Sequence, residues 1–148
     1  MNSSQDWQIA GALLRLTTQL VDGIQEGLAK SGFTDVRPVH GFVFVRISQG
    51  STTVAELSEY LGVTKQAASQ LVAQLENRGY VTRRPSPEDG RAQLLFLTQK
   101  GTACTRAAER IGAQTVKKMH RELPQDEVDR LAKALRAMTT PGPLRPNW

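Results

Sequence analysis

Cysteine, histidine and aromatic side chains are scarce in this 148-residue chain, which has one Cys, two His and 5% aromatics. The lone thiol, Cys104, excludes a disulfide framework within the chain and any metal site built from several cysteines. His40 and His120 lie far apart in sequence, without the spacing of a ligand pair, so no metal is expected. No apolar run approaches the ~20 residues needed to cross a bilayer. The opening Met1-Asn2-Ser3-Ser4-Gln5-Asp6 lacks the basic end and apolar stretch of a secretory signal. A soluble cytoplasmic protein with no membrane partner is the expectation. Also missing are a Ser/His/Asp grouping, a metal-ligand cluster and a phosphate-binding glycine loop, so neither an enzyme nor a cofactor is expected.

The length suits one domain, 1–148, with a core of its own. The formal charge is +5 and the pI about 9.8, a balance that favours a polyanionic partner. Its distribution says more. Residues 1–50 hold four cations against four acids, residues 64–91 five against three, and residues 99–121 six against the single Glu109. The positive excess lies in the second half.

Trp7, Leu13, Leu14, Leu20, Val21, Ile24 and Leu28 recur at helical steps, predicting one long helix over about 5–30, stopped by Ser31-Gly32. An apolar seam of about seven turns exceeds what a small core needs, so part of it is expected to face another subunit. Residues 38–48 read two ways: Val39, Phe42, Val43, Phe44, Val45 and Ile47 favour a strand, while Pro38 at a first helical position favours a short helix.

From Thr53 the signals sharpen. Thr53-Val54-Ala55-Glu56 has capping-box spacing, Val54, Leu57, Tyr60 and Leu61 give one apolar face, and Gly62 ends the helix. Thr64 caps a second helix whose Ala67, Ala68, Leu71, Val72 and Leu75 point inward, closing at Asn77-Arg78-Gly79. Two short helices joined by Gly62-Val63 form the helix-turn-helix pattern. Residues 80–84 and 92–97 read as strands around a loop at 85–90, making a hairpin. Thr98 then caps a helix to about Glu122, with Ala103, Ala107, Ile111 and Met119 along one side. Pro124 opens a last helix in which Val128, Leu131, Leu135 and Met138 step by three and four, and residues 141–148 read as irregular.

The run Arg78-Gly79-Tyr80-Val81, the tip Asp89-Gly90-Arg91 and the exit Leu97-Thr98-Gln99-Lys100-Gly101 closely resemble the wing of the MarR family of bacterial regulators. The D-x-R followed by L-T-x-x-G, behind a helix-turn-helix ending L-x-x-R-G-Y, is specific, and the resemblance extends over nearly the whole chain. It implies a mainly α fold of six helices with a small β-hairpin wing. The winged helix-turn-helix lobe would occupy about 36–98, and helices at about 5–30 and 99–140 would build an intertwined homodimer. Residues 38–48 would then be helical. Family members usually repress transcription at a near-palindromic operator, and many release duplex DNA when a small phenolic or other aromatic ligand binds.

Within 64–74, the residues not needed by the core are Thr64, Lys65, Gln66, Ser69, Gln70, Ala73 and Gln74. Glutamine pairs bidentately with adenine, lysine donates to guanine or phosphate, and small hydroxyls serve either edge, so these types suit a major-groove reader. Arg91 at a hairpin tip suits a narrow minor groove, where the negative potential is enhanced. Asp89 is a poor phosphate neighbour unless paired, and the family pattern implies that it orients an arginine. Strand alternation puts Arg83 and Arg84 on opposite faces, so one of them is expected to meet phosphate. The basic residues of 99–121 read as keeping a long helix soluble.

An effector pocket, in the place the family implies, draws on Trp7, Arg15, His40 and Phe44 for aromatic walls and a counter-charge to an anionic aromatic ligand. Aromatic residues at helical spacing serve a core equally well, and both histidines otherwise read as core-edge or surface residues. Cys104, at an apolar spacing after the wing, reads as packing; redox-sensing family members carry a reactive thiol near the chain start, where this sequence has none. The alternatives are a redox-responsive or activating regulator of the same fold, and a winged-helix protein-interaction module. The module should lack both the wing-tip arginine and an outward polar helix.

Overall fold

The computed structural model describes residues 3–144, so the end of the expected irregular tail lies outside the described residues. Among them, six helices and two strands follow in the order α1 (Ser3–Lys30), α2 (Pro38–Ser48), α3 (Val54–Leu61), α4 (Lys65–Asn77), β1 (Val81–Pro85), β2 (Gln93–Leu97), α5 (Gln99–Met119) and α6 (Gln125–Met138). They fall into two compact units. One comprises the chain up to Thr34 with Ala108–Thr140; the other comprises Asp35–Ala107 and the segment from Pro141.

In the helical unit, α1 stops at Gly32, whose φ of +95° turns the chain while the Ser31 and Phe33 amides donate to the Gly27 and Leu28 carbonyls at 3.0 and 2.9 Å. Glycines let α1 and α5 meet closely. A Cβ at Gly27 would lie 2.5 Å from Ile111 Cγ2, and one at Gly23 would lie 2.7 Å from Thr115 Cγ2. Their absence lets Ile111 bury. Along the rest of α1 only Leu28 is buried among the described residues, and α6 buries none.

The lobe is built around Val43, Phe44, Leu57, Val72, Leu75, Tyr80 and Leu95, each nearly or fully buried. Residues 38–48 are helical, as the family resemblance implies. Pro38 starts α2 where a missing N–H costs nothing. The inward face of α2 is His40, Val43, Phe44 and Ile47, so His40 is a core residue and not the core-edge or surface residue expected. Its Nδ1 accepts the Arg37 amide at 3.0 Å, which gives the helix its N-terminal cap and explains the inward turn. At α3 the capping box is complete: Glu56 N–H donates to Thr53 Oγ1 at 3.2 Å and Thr53 N–H to Glu56 Oε2 at 2.9 Å. Gly62 adopts φ +68°, and the Val63 amide reaches back to the Ser58 carbonyl at 3.1 Å. Ser58 and Ala68 are buried, small enough for α3 and α4 to approach.

β1 and β2 pair antiparallel, Val81 opposite Leu97 and Arg83 opposite Leu95. The Leu95 amide donates to the Thr52 carbonyl at 2.9 Å, tying the hairpin to the segment before α3. Thr98 caps α5, accepting the Gly101 amide at 3.1 Å while its hydroxyl donates to the Gly79 carbonyl. Gly101 is required there, since a Cβ would lie 2.2 Å from the Tyr80 carbonyl oxygen. Two details differ from the sequence reading. The buried line on α5 runs through Cys104, Ala107 and Ile111, and Ala103 is exposed. The helix ends at Met119 and not near Glu122, because Pro124 keeps the residue before it out of the helical region and the Leu123 amide closes a turn on His120 instead.

Candidate nucleic-acid interface

Helix α4 presents its outer side to solvent. Lys65, Gln66, Gln70, Ala73 and Gln74 are exposed and Ser69 is half-buried, while Ala68, Val72 and Leu75 pin the opposite side into the core. Thr64 is the N-cap, its Oγ1 accepting the Ala67 amide at 3.1 Å, so its hydroxyl proton and one lone pair are left for a ligand. Arg37, which sequence reasoning missed, sits beside this surface with its Nη2 3.5 Å from Gln74 Oε1.

The hairpin divides its two arginines as alternation requires. Arg83 lies on the face shared with Val81 and Leu95, where its Nε donates to Glu76 Oε1 near the end of α4. It lines one open groove with Val54, Lys65, Gln66, Ser69, Gln70 and Ala73. Arg84 lies on the other face, its guanidinium 4.9 Å from the Phe96 ring centroid. The loop beyond narrows through Ser86 N–H to the Ala92 carbonyl at 2.8 Å and Ala92 N–H to the Asp89 carbonyl at 3.0 Å. Asp89 Oδ1 takes the backbone amide of Arg91 at 3.0 Å. Its carboxylate thus fixes the backbone turn that carries Arg91, acting through that residue's main-chain amide. Arg91 is exposed at the tip.

Beneath this surface lies a polar brace. Tyr80 donates its hydroxyl to Asp35 Oδ1 at 2.6 Å, and Arg78 Nη1 reaches the Asp35 carbonyl at 2.6 Å. The tyrosine hydroxyl holds the Asp35 carboxyl below its usual range, and burial with that carboxylate pushes the Tyr80 phenol well up. Lys100 is no mere solubilising charge: its Nζ donates to the Arg78 carbonyl at 2.8 Å and lies 4.3 Å from the Tyr80 ring centroid.

Of the four effector candidates, His40 and Phe44 are 0% and 2% exposed and belong to the lobe core. They offer no wall to a ligand, because a helix face facing a close-packed core leaves no open side. Trp7 and Arg15 lie on α1 in the helical unit, Trp7 being 77% exposed. Burial lowers the His40 pKa to about 4, helped by the Arg37 and Arg78 charges, and raises the Cys104 thiol to about 11. Sequence reasoning also missed Glu76. Its one signal was an acid in the last turn of a helix whose outer polar groups are otherwise amide, hydroxyl and lysine.

A model for the MarR family matches residues 35–92, from the start of the lobe to the wing tip. The multiple antibiotic resistance protein MarR of Salmonella typhimurium is 32% identical over 88 residues, 59% of this chain and 61% of that relative. The matched stretch therefore spans about three-fifths of the relative's length. A riboflavin kinase of Thermoplasma volcanium is 43% identical over 49 residues, only 21% of its length. Among solved structures, Streptococcus pneumoniae FabT in complex with DNA superposes with a TM-score of 0.73 at 25% identity, over 89% of this chain and 93% of that one. Over its winged lobe, from the Asp35 end of the brace to the Asp89-Gly90-Arg91 tip, the chain is similar to the MarR family, and among the described residues its six helices and two-stranded wing share the fold of the FabT structure.

Proposed function

We propose that this chain is a sequence-specific regulator of transcription that binds duplex DNA as a homodimer, with α4 in the major groove and Arg91 in the minor groove. The observation that carries the reading is the exposed Arg91, its backbone set by Asp89, at the tip of a wing beside the polar face of α4. The DNA in the FabT structure supports it by likeness of fold. The DNA-facing set is Thr64, Lys65, Gln66, Ser69, Gln70, Gln74, Arg83, Arg84, Asp89 and Arg91. A homodimer would meet a near-palindromic operator with half-sites about one helical turn (~34 Å) apart.

In the finer reading the protein works in the cytoplasm as a repressor that a small aromatic ligand releases. The family resemblance supports this, and Trp7 and Arg15 are the candidates left for the ligand. A redox version draws no support from Cys104, which is 1% exposed with its thiol held protonated at neutral pH.

Selection of bound fragments from random duplex DNA tests binding, palindromy and half-site spacing together. Against the recovered duplex, Arg91→Ala should weaken binding by about 1–3 kcal/mol with the melting temperature unchanged. Unchanged affinity at fixed salt would overturn the wing assignment.

A further inference from the structure

We infer that Glu76 is a positioning residue for DNA reading, one that holds the Arg83 guanidinium against the outer side of α4 so that Arg83 reads with that helix instead of with the wing. The inference rests on the proposed DNA binding and adds a residue that reading does not contain. The first observation is placement. Arg83 shares the inner face of the hairpin with the buried Val81 and Leu95, and its Nε donates to Glu76 Oε1 with the two side chains 29% and 34% exposed. A guanidinium half-withdrawn from water at that spot needs an anionic partner. Arg84, one residue on, lies over Phe96 on the opposite face and has no part in this pair.

The second observation is direction. Glu76 follows Ala73 by three residues and Ser69 by seven, on the same side of α4. Arg83 accordingly lines the groove that Lys65, Gln66, Ser69, Gln70 and Ala73 also line. The third is chemistry. Anchoring through Nε leaves the two Nη groups without a protein acceptor among the described residues. Those Nη donors form the fork that fits guanine O6 and N7 or a phosphate. An acid on a DNA-facing helix repels the phosphate backbone unless it is neutralised, and here Arg83 neutralises it. Holding the arginine in one geometry before DNA arrives also reduces the ordering cost of binding.

The test titrates the intact protein against the selected operator duplex and against a scrambled duplex of equal length. Glu76→Ala is expected to lose about tenfold on the operator and to lose nothing, or gain slightly, on the scrambled duplex. Simple removal of an acid would instead tighten both. Arg83→Lys keeps the charge without the fork and is expected to lose on the operator alone, and it serves where Glu76→Ala lowers the melting temperature. The Glu76→Ala/Arg83→Ala double variant should bind like Arg83→Ala, since Glu76 acts through that arginine. An operator affinity unchanged in Glu76→Ala, or an equal loss on both duplexes, overturns the inference while leaving DNA binding intact. If selection recovers no duplex, the DNA-binding reading fails first and this inference with it.

Discussion

His40 sits fully buried with Nδ1 accepting the Arg37 amide and Nε2 without a hydrogen-bond partner among the described residues. Both facts favour the neutral ring, because protonation would put a charge in the lobe core beside the Arg37 and Arg78 cations. The ring titrates near 6.5 when the chain is unfolded and near about 4 when folded. Above the first value both states are neutral and the stability is complete. Between the two, only the unfolded chain takes up the proton, so stability falls as pH drops, by about 3 kcal/mol across the window. Below about 4 both states are protonated and the loss stops growing. Urea midpoints measured between pH 7 and pH 4.5 should decline, and His40→Gln should flatten the decline even if it starts lower. A midpoint as steep in that variant would assign the acid lability to another group. Asp35 acts at lower pH: its depressed carboxyl pKa loses stability only below the normal carboxylate value.

At the scale of elements, junctions explain both what the sequence disclosed and what it hid. Thr53, Thr64 and Thr98 announce themselves because an N-cap is a local contract between a side chain and an amide three residues away, and Gly62 because its left-handed backbone ends a helix on the spot. The same locality makes the hairpin legible and α2 ambiguous, since its run of Val and Phe suits either state until Pro38 and the core facing it decide. The inward side of α2 and the buried line on α5 were not legible to the residue: a helix of apolar composition can turn several ways, and its partners fix which. The Glu76–Arg83 pair joins two elements across a turn, which no local pattern encodes. Gly101 shows the opposite case, a motif residue whose reason appears only in space. With 2.2 Å between a Cβ and the Tyr80 carbonyl, Gly101→Ala must part the start of α5 from β1. It should cost about 1–3 kcal/mol, seen as a lower melting temperature, and weaken DNA binding by loosening the wing. A variant melting like wild type would mean that this junction yields freely.

For the whole molecule, the open question is what covers the apolar surface of the helical unit. Trp7 and Leu14 on α1 are 77% and 70% exposed, and Leu131, Leu135 and Met138 on α6 are 45%, 42% and 63% exposed. A 14-residue amphipathic helix that fully buries no side chain among the described residues gains little from folding unless a partner meets its apolar side. A second copy is the proposed partner, because each lobe alone offers DNA one short helix and one wing tip. Coupling two lobes makes the second contact intramolecular and multiplies affinity by about 10²–10⁴ without any new contact. Leu131→Lys with Leu135→Lys should therefore shift the sedimenting mass from twice the chain's 16.3 kDa toward 16.3 kDa. Affinity for a palindromic operator should fall by a comparable factor toward that of a single half-site, while a lone half-site, bound by one lobe in either state, loses far less. A wild-type protein that sediments as a monomer at micromolar concentration, or a charged variant that remains a dimer, would place the partner of these helices elsewhere.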